Sequence, residues 1–104
     1  MKFIKSSICG LLFCFSVSSV ADTGKPESVG CDAETGICFV NLSASVSGSV
    51  CGNKSQLRID PSLAGAEGMY TAALSAFLGN KDVMFSGDGC FEGAVAPGYI
   101  AVTN

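Results

Sequence analysis

The chain contains no histidine and no tryptophan. Without an imidazole there is no ordinary Ser-His-Asp triad, no histidine base and no histidine metal ligand. Without an indole, the largest aromatic platform for a sugar ring is missing. Cations are scarce, six Lys and Arg against nine Asp and Glu. Nucleic-acid affinity comes largely from Lys and Arg neutralising phosphates, so no nucleic-acid partner is expected. No apolar run reaches the roughly 20 residues of a permanent membrane span, so stable membrane insertion is not expected. There is no Cys-x-x-Cys pair either, the usual frame of a four-thiolate zinc site. No metal and no cofactor is expected.

What is present begins with a leader. Lys2 and Lys5 make a short positive start, and Ile8 to Phe15 is an almost unbroken apolar run. Ser16 to Ala21 then supplies small residues, with Ser19 and Ala21 three and one residues before a cut. Met1 to Ala21 therefore reads as a secretory signal peptide cleaved after Ala21, and the mature chain as secreted or periplasmic. Four cations and nine anions remain from Asp22 onward, a net charge of −5. That charge also disfavours anionic membranes.

Four cysteines follow the cut: Cys31, Cys38, Cys51 and Cys90. An even count in a short exported chain argues for disulfides, with three connectivities open. Cys31 and Cys38 flank a polar segment containing Gly36, so they can meet locally. Cys51 and Cys90 each end an apolar stretch and would then pair across the fold. This favours Cys31–Cys38 with Cys51–Cys90.

Asp22 to Gly30 is polar and reads as a flexible arm, 22–30. Residues 31–104 read as a single disulfide-stapled β domain. From Phe39 to Cys51, Val40, Leu42, Ala44, Val46, Gly48 and Val50 share one parity, and Asn41 and four serines share the other. That alternation predicts a long strand with a serine-rich outer side and a bend near Gly48. Gly52 to Lys54 reads as a turn, and Gln56 to Ile59 as a strand with Leu57 and Ile59 inward. Asp60-Pro61 opens a helix that becomes stable near Ala66. Met69, Tyr70, Ala73, Leu74, Phe77 and Leu78 form its apolar stripe, and Gly79 its C-terminal stop. Val83 to Phe85 reads as a strand, Ser86 to Gly89 as a turn, Gly93 to Gly98 as a loop and Tyr99 to Thr103 as a last strand. The fold class is mainly β with one α-helix. Its form is a small antiparallel barrel of the oligomer-binding (OB-like) kind, or a curled sheet with the helix packed across it.

The stretch Tyr70 to Cys90 joins a helix ending in Gly79-Asn80-Lys81, the short strand Val83-Met84-Phe85, and Gly87-Asp88-Gly89-Cys90. It resembles small exported bacterial proteins of the subtilase-type AB5 toxin B-subunit kind. The resemblance covers about a third of the mature chain. It implies a disulfide-bonded barrel that assembles into a ring and binds cell-surface glycans.

Chemistry is otherwise sparse, and no enzyme is expected. Asp60 or Glu67 with Asp82 or Asp88 could in principle act as acid and base. The simpler reading is that Asp60 caps a helix and Asp88 makes a turn. Ser86 to Gly89 offers one carboxylate, short of the six or more oxygens calcium takes. Asn41-Leu42-Ser43 and Asn53-Lys54-Ser55 match the glycosylation acceptor pattern. Three functions stand together. The first is a non-catalytic binding module, an oligomeric subunit for a receptor or glycan. The second is an envelope protein that docks onto or inhibits another protein. The third is a secreted antimicrobial polypeptide, which the net negative charge opposes. The expected partner is a protein or glycan, with a homo-oligomer as an expected form.

Overall fold

The computed structural model describes residues 22–103. The expected signal peptide, Met1 to Ala21, lies outside the described residues. Six strands and one helix follow in order: β1 Asp22–Gly24, β2 Pro26–Cys31, β3 Cys38–Leu42, β4 Asn53–Ile59, α1 Ala66–Leu78, β5 Asp82–Phe91 and β6 Ala94–Thr103. They form one sheet in the order β1-β5-β6-β4-β3-β2. Neighbours are antiparallel except β4 and β6, which run parallel. A wholly antiparallel sheet was expected; the crossover through α1 reverses the chain into β5 and the β5–β6 hairpin reverses it again, so β6 returns parallel to β4.

The ladder is not closed into a barrel. Its two edges, β1 and β2, are nevertheless separated in the chain by Lys25 alone. One residue spans only a few ångströms, so the sheet must curl until its edges meet on one backbone segment. Taken as a single bent strand, β1 and β2 neighbour both β5 and β3, and α1 lies between the third and fourth strands so counted. This is the curled, OB-like arrangement.

That edge role corrects the expected flexible arm. Asp22 to Gly24 pair with Val83 to Phe85, and Pro26 to Cys31 pair with Cys38 to Leu42. The segment buries little except Pro26 and part of Val29. Backbone hydrogen bonding to two different strands orders it, a contribution that hydrophobic pattern does not report.

The core collects Val40, Leu42, Leu57, Ile59, Val83, Phe85, Val95 and Ile100 from the sheet, with Met69, Ala73 and Ala76 from α1. The helix therefore presents methionine and alanine inward. Phe77 and Leu78, expected on the buried stripe, are 38% and 74% exposed. Small Ala73 and Ala76 let the helix axis approach the sheet closely, and the bulky residues fall to the flank. The helix stop also sits one residue later than expected. Asn80, not Gly79, adopts the left-handed conformation, with φ 57°. Lys81 N–H donates to Ala76 O at 2.8 Å and Asn80 N–H to Phe77 O at 3.3 Å, a Schellman motif.

The long predicted strand stops at Leu42. Residues 43–52 form a loop instead. Val46 and Cys51 are buried and pin it, whereas Ala44 is exposed and Val50 is 92% exposed. Alternating serines flank side chains too small to hold a strand against the core, and Gly48 turns the chain at φ 77°. The turn expected at Gly52 to Lys54 is replaced by strand from Asn53, whose N–H donates to Gly93 O at 2.8 Å.

The turn expected at Ser86 to Gly89 is likewise absent. β5 runs through it with register shifts between Phe85 and Cys90. Pro97, expected in a loop, lies opposite Gly87 at the shift, where its missing N–H costs no ladder bond. Ser86 Oγ accepts from Gly98 N–H at 2.9 Å and replaces a backbone partner. The hairpin turns at Glu92-Gly93, both with positive φ, 52° and 82°. Two-residue turns of that sign favour Asn-Gly. Glu92→Asn is therefore expected to stabilise the domain by about 0.5–1 kcal/mol, since left-handed backbone costs most L residues about 1–2 kcal/mol and Asn less. Thermal unfolding of the pair of proteins checks it.

The two favoured disulfides are present. Cys31–Cys38 joins directly paired residues at the mouth of the β2–β3 hairpin. Cys51–Cys90 ties the 43–52 loop to β5 across 39 residues. Two such bonds are compatible with an extracellular or periplasmic protein. Among the described residues, no helix is long and apolar enough to cross a membrane.

Candidate functional site

The inward parity of β3 and β4 goes to the core, so the opposite parity faces out. Registration then builds two transverse rows. Gly30 lies beside Phe39, and Phe39 beside Arg58; Ser28 lies beside Asn41, and Asn41 beside Gln56. Five side chains link in series along these rows. Asn41 Nδ2 donates to Ser28 Oγ at 2.9 Å, and Gln56 Nε2 donates to Asn41 Oδ1 at 2.9 Å. Arg58 Nη1 donates to Gln56 Oε1 at 3.4 Å, and Nη2 to Asp32 Oδ2 at 2.6 Å.

The Phe39 ring lies across Gly30, where a Cβ would meet it at 3.2 Å. The Arg58 guanidinium carbon stands 5.8 Å from the centroid of the same ring, within cation–π range. Arg58 is thus held on two sides, by an aromatic face and by a carboxylate, and its Nε is buried without a hydrogen-bond partner. The Arg58–Asp32 bridge is partly exposed. Such pairs contribute between about 0 and 1 kcal/mol, so Asp32→Asn should barely shift the melting temperature while freeing Arg58. The face offers amide donors and acceptors, one guanidinium and one aromatic edge. It can hold a ligand rich in hydroxyl or carboxylate oxygens. It contains no activated nucleophile.

The carboxylates named as acid–base candidates are dispersed. Asp60 and Asp88 line one cleft of about 450 Å³. Glu67 lines a separate groove of about 400 Å³. Asp82 opens β5, roughly 20 Å along the strand from Asp88. Asp60 Oδ1 accepts from Ser62 N–H at 2.9 Å and from Ser62 Oγ at 2.7 Å. The amide first, and the hydroxyl second, hold its carboxyl below the usual carboxylate range. A carboxyl so held is a poor proton donor near neutrality. Its folded value is depressed, so its contribution to stability is present above the ordinary carboxylate range and fades as pH falls through its own lower value. Asp60 does not cap the helix itself: Gly65 occupies that position with no side-chain cap.

Asp88 is exposed and faces Gly98, whose lack of a side chain makes room for the carboxylate. Among the described residues, no group of three or more Cys, Asp or Glu is arranged to hold a metal ion. Cys31, Cys38, Cys51 and Cys90 are all in disulfides and offer no thiolate. Of the two acceptor asparagines, Asn41 is engaged on both sides within the polar row, whereas Asn53 is exposed at the start of β4.

Sequence reasoning placed Asn41 on the outer parity but did not assemble the row. The signal was available in the two short strands, where Phe39, Asn41, Gln56 and Arg58 all fall opposite the apolar residues. The register that sets them side by side was not. No family model, curated protein or solved structure matches this chain.

Proposed function

We propose that the mature chain is a secreted or periplasmic, non-catalytic binding module that recognises a receptor or glycan and works as a subunit of a homo-oligomer. The observation that carries the reading is the linked row Ser28–Asn41–Gln56–Arg58–Asp32 with Phe39 beneath Arg58. An outward polar row ordered before any ligand arrives loses little side-chain freedom on binding. The oligomeric part is supported by the flank of α1, where Phe77 and Leu78 stay exposed beside half-buried Leu74.

Two measurements test these parts separately. Binding of the mature chain to arrayed cell-surface glycans and receptor ectodomains should weaken about tenfold in the Asn41→Ala, Gln56→Ala double variant. Two lost hydrogen bonds of about 0.5–1.5 kcal/mol each give that factor. Unchanged binding would place recognition elsewhere. Light scattering should show a multiple of the chain mass that Leu78→Glu reduces to the monomer; a monomeric parent protein would remove the assembly.

A further inference from the structure

The loop 60–65, between β4 and α1, divides two grooves that the polar row does not use. One, of about 400 Å³, runs toward Tyr70 and the first turn of α1; the other, of about 450 Å³, runs toward Phe91. Leu63 stands between them, 44% exposed, and lines both. The first wall is mainly apolar, and the second is divided nearly evenly between apolar and polar surface. Every charged residue lining them is negative: Glu67 in the first, Asp60 and Asp88 in the second, with no Lys or Arg in either.

We infer that these paired grooves take a short segment of a partner protein in which apolar side chains are flanked by Lys or Arg. Two grooves that meet at one exposed leucine, with Tyr70 lining one and Phe91 the other, match two apolar side chains of one segment. Carboxylates in both match cations on each side of them. A purely apolar ligand would leave the carboxylates desolvated and unpaired, which is costly. An anionic surface, whether membrane or nucleic acid, would be repelled. The site is distinct from the polar row, so either can fail without the other.

The probe is a short fluorescein-labelled peptide of alternating lysine and leucine, titrated with the mature, oxidised chain and read by anisotropy. Its counterpart with glutamate in place of lysine is the control. The basic peptide should bind and the acidic one should not. The double variant Glu67→Gln, Asp88→Asn should weaken binding about tenfold, as expected when interfacial charge partners are removed. Leu63→Ser should weaken it by a similar factor. Glu27→Gln with Glu34→Gln removes the same net charge from exposed positions outside the grooves and should change affinity less than about twofold. Absence of binding, equal loss in the control pair, or full competition by spermine would each overturn the assignment. All these substitutions are of surface groups, and circular dichroism verifies that each variant is folded.

Discussion

Replacing Cys51 and Cys90 together by alanine should leave the mature chain largely unfolded at physiological temperature. The bond closes a loop of 39 residues. Loop-closure entropy puts its contribution at about 4 kcal/mol. A single core in a domain of this size supplies about 3–5 kcal/mol net. The two figures are of the same size, so removing one exhausts the other. The geometry sharpens the expectation. Cys51 is 5% exposed and is one of only two residues that pin the 43–52 loop. Without it, Val46 is the one buried side chain left to hold the loop's serines and glycines in place. The matching change at Cys31 and Cys38 should be milder, about 2.5 kcal/mol, because the loop is short and the paired strands persist. Urea unfolding of the two variants, compared with the parent, measures both. Equal effects would show that the long bond is not the dominant staple.

Phe85→Ala should cost about 3–5 kcal/mol and so nearly abolish the fold by itself. Phe85 is 1% exposed and is the largest fully buried side chain. It stands in β5 between Asp22 of β1 and Ile100 of β6, in the part of the sheet that curls to bring its edges together. Truncation leaves a cavity that a close-packed interior fills poorly. Leu57→Ala, at an equally buried site, should cost somewhat less, about 2–5 kcal/mol. Chemical denaturation with an unchanged slope would identify the loss as stability alone.

The sequence was most informative where burial and covalent chemistry set the answer. Leu57 and Ile59 alternate inward, α1 starts at Ala66, and the four cysteines pair as their spacing suggested. It misled where small residues kept a pattern going without the bulk to enforce it. Ala44, Gly48 and Val50 continue the parity of Val40 and Leu42, yet none packs in the core. Glycines misled in the opposite sense. Gly87 and Gly89 suggested a turn, whereas they relieve the bulges of a strand that continues to Phe91. The polar arm 22–30 had no pattern at all, because its order comes from backbone pairing with the neighbouring hairpin strand β3 and the distant strand β5. The candidate site suffered for the same reason. Each member of the row is an ordinary outward polar residue, and only the lateral register of three strands makes them a surface.

Every functional statement above rests on the proposal that the domain is exported and on its two cross-links. Intact-mass spectrometry of the native protein, before and after reduction, tests that most directly. The mass should correspond to a chain beginning at Asp22 and should rise by four hydrogens on reduction, one pair for each bond. A chain still carrying residues 1–21, or one whose mass reduction leaves unchanged, would contradict it.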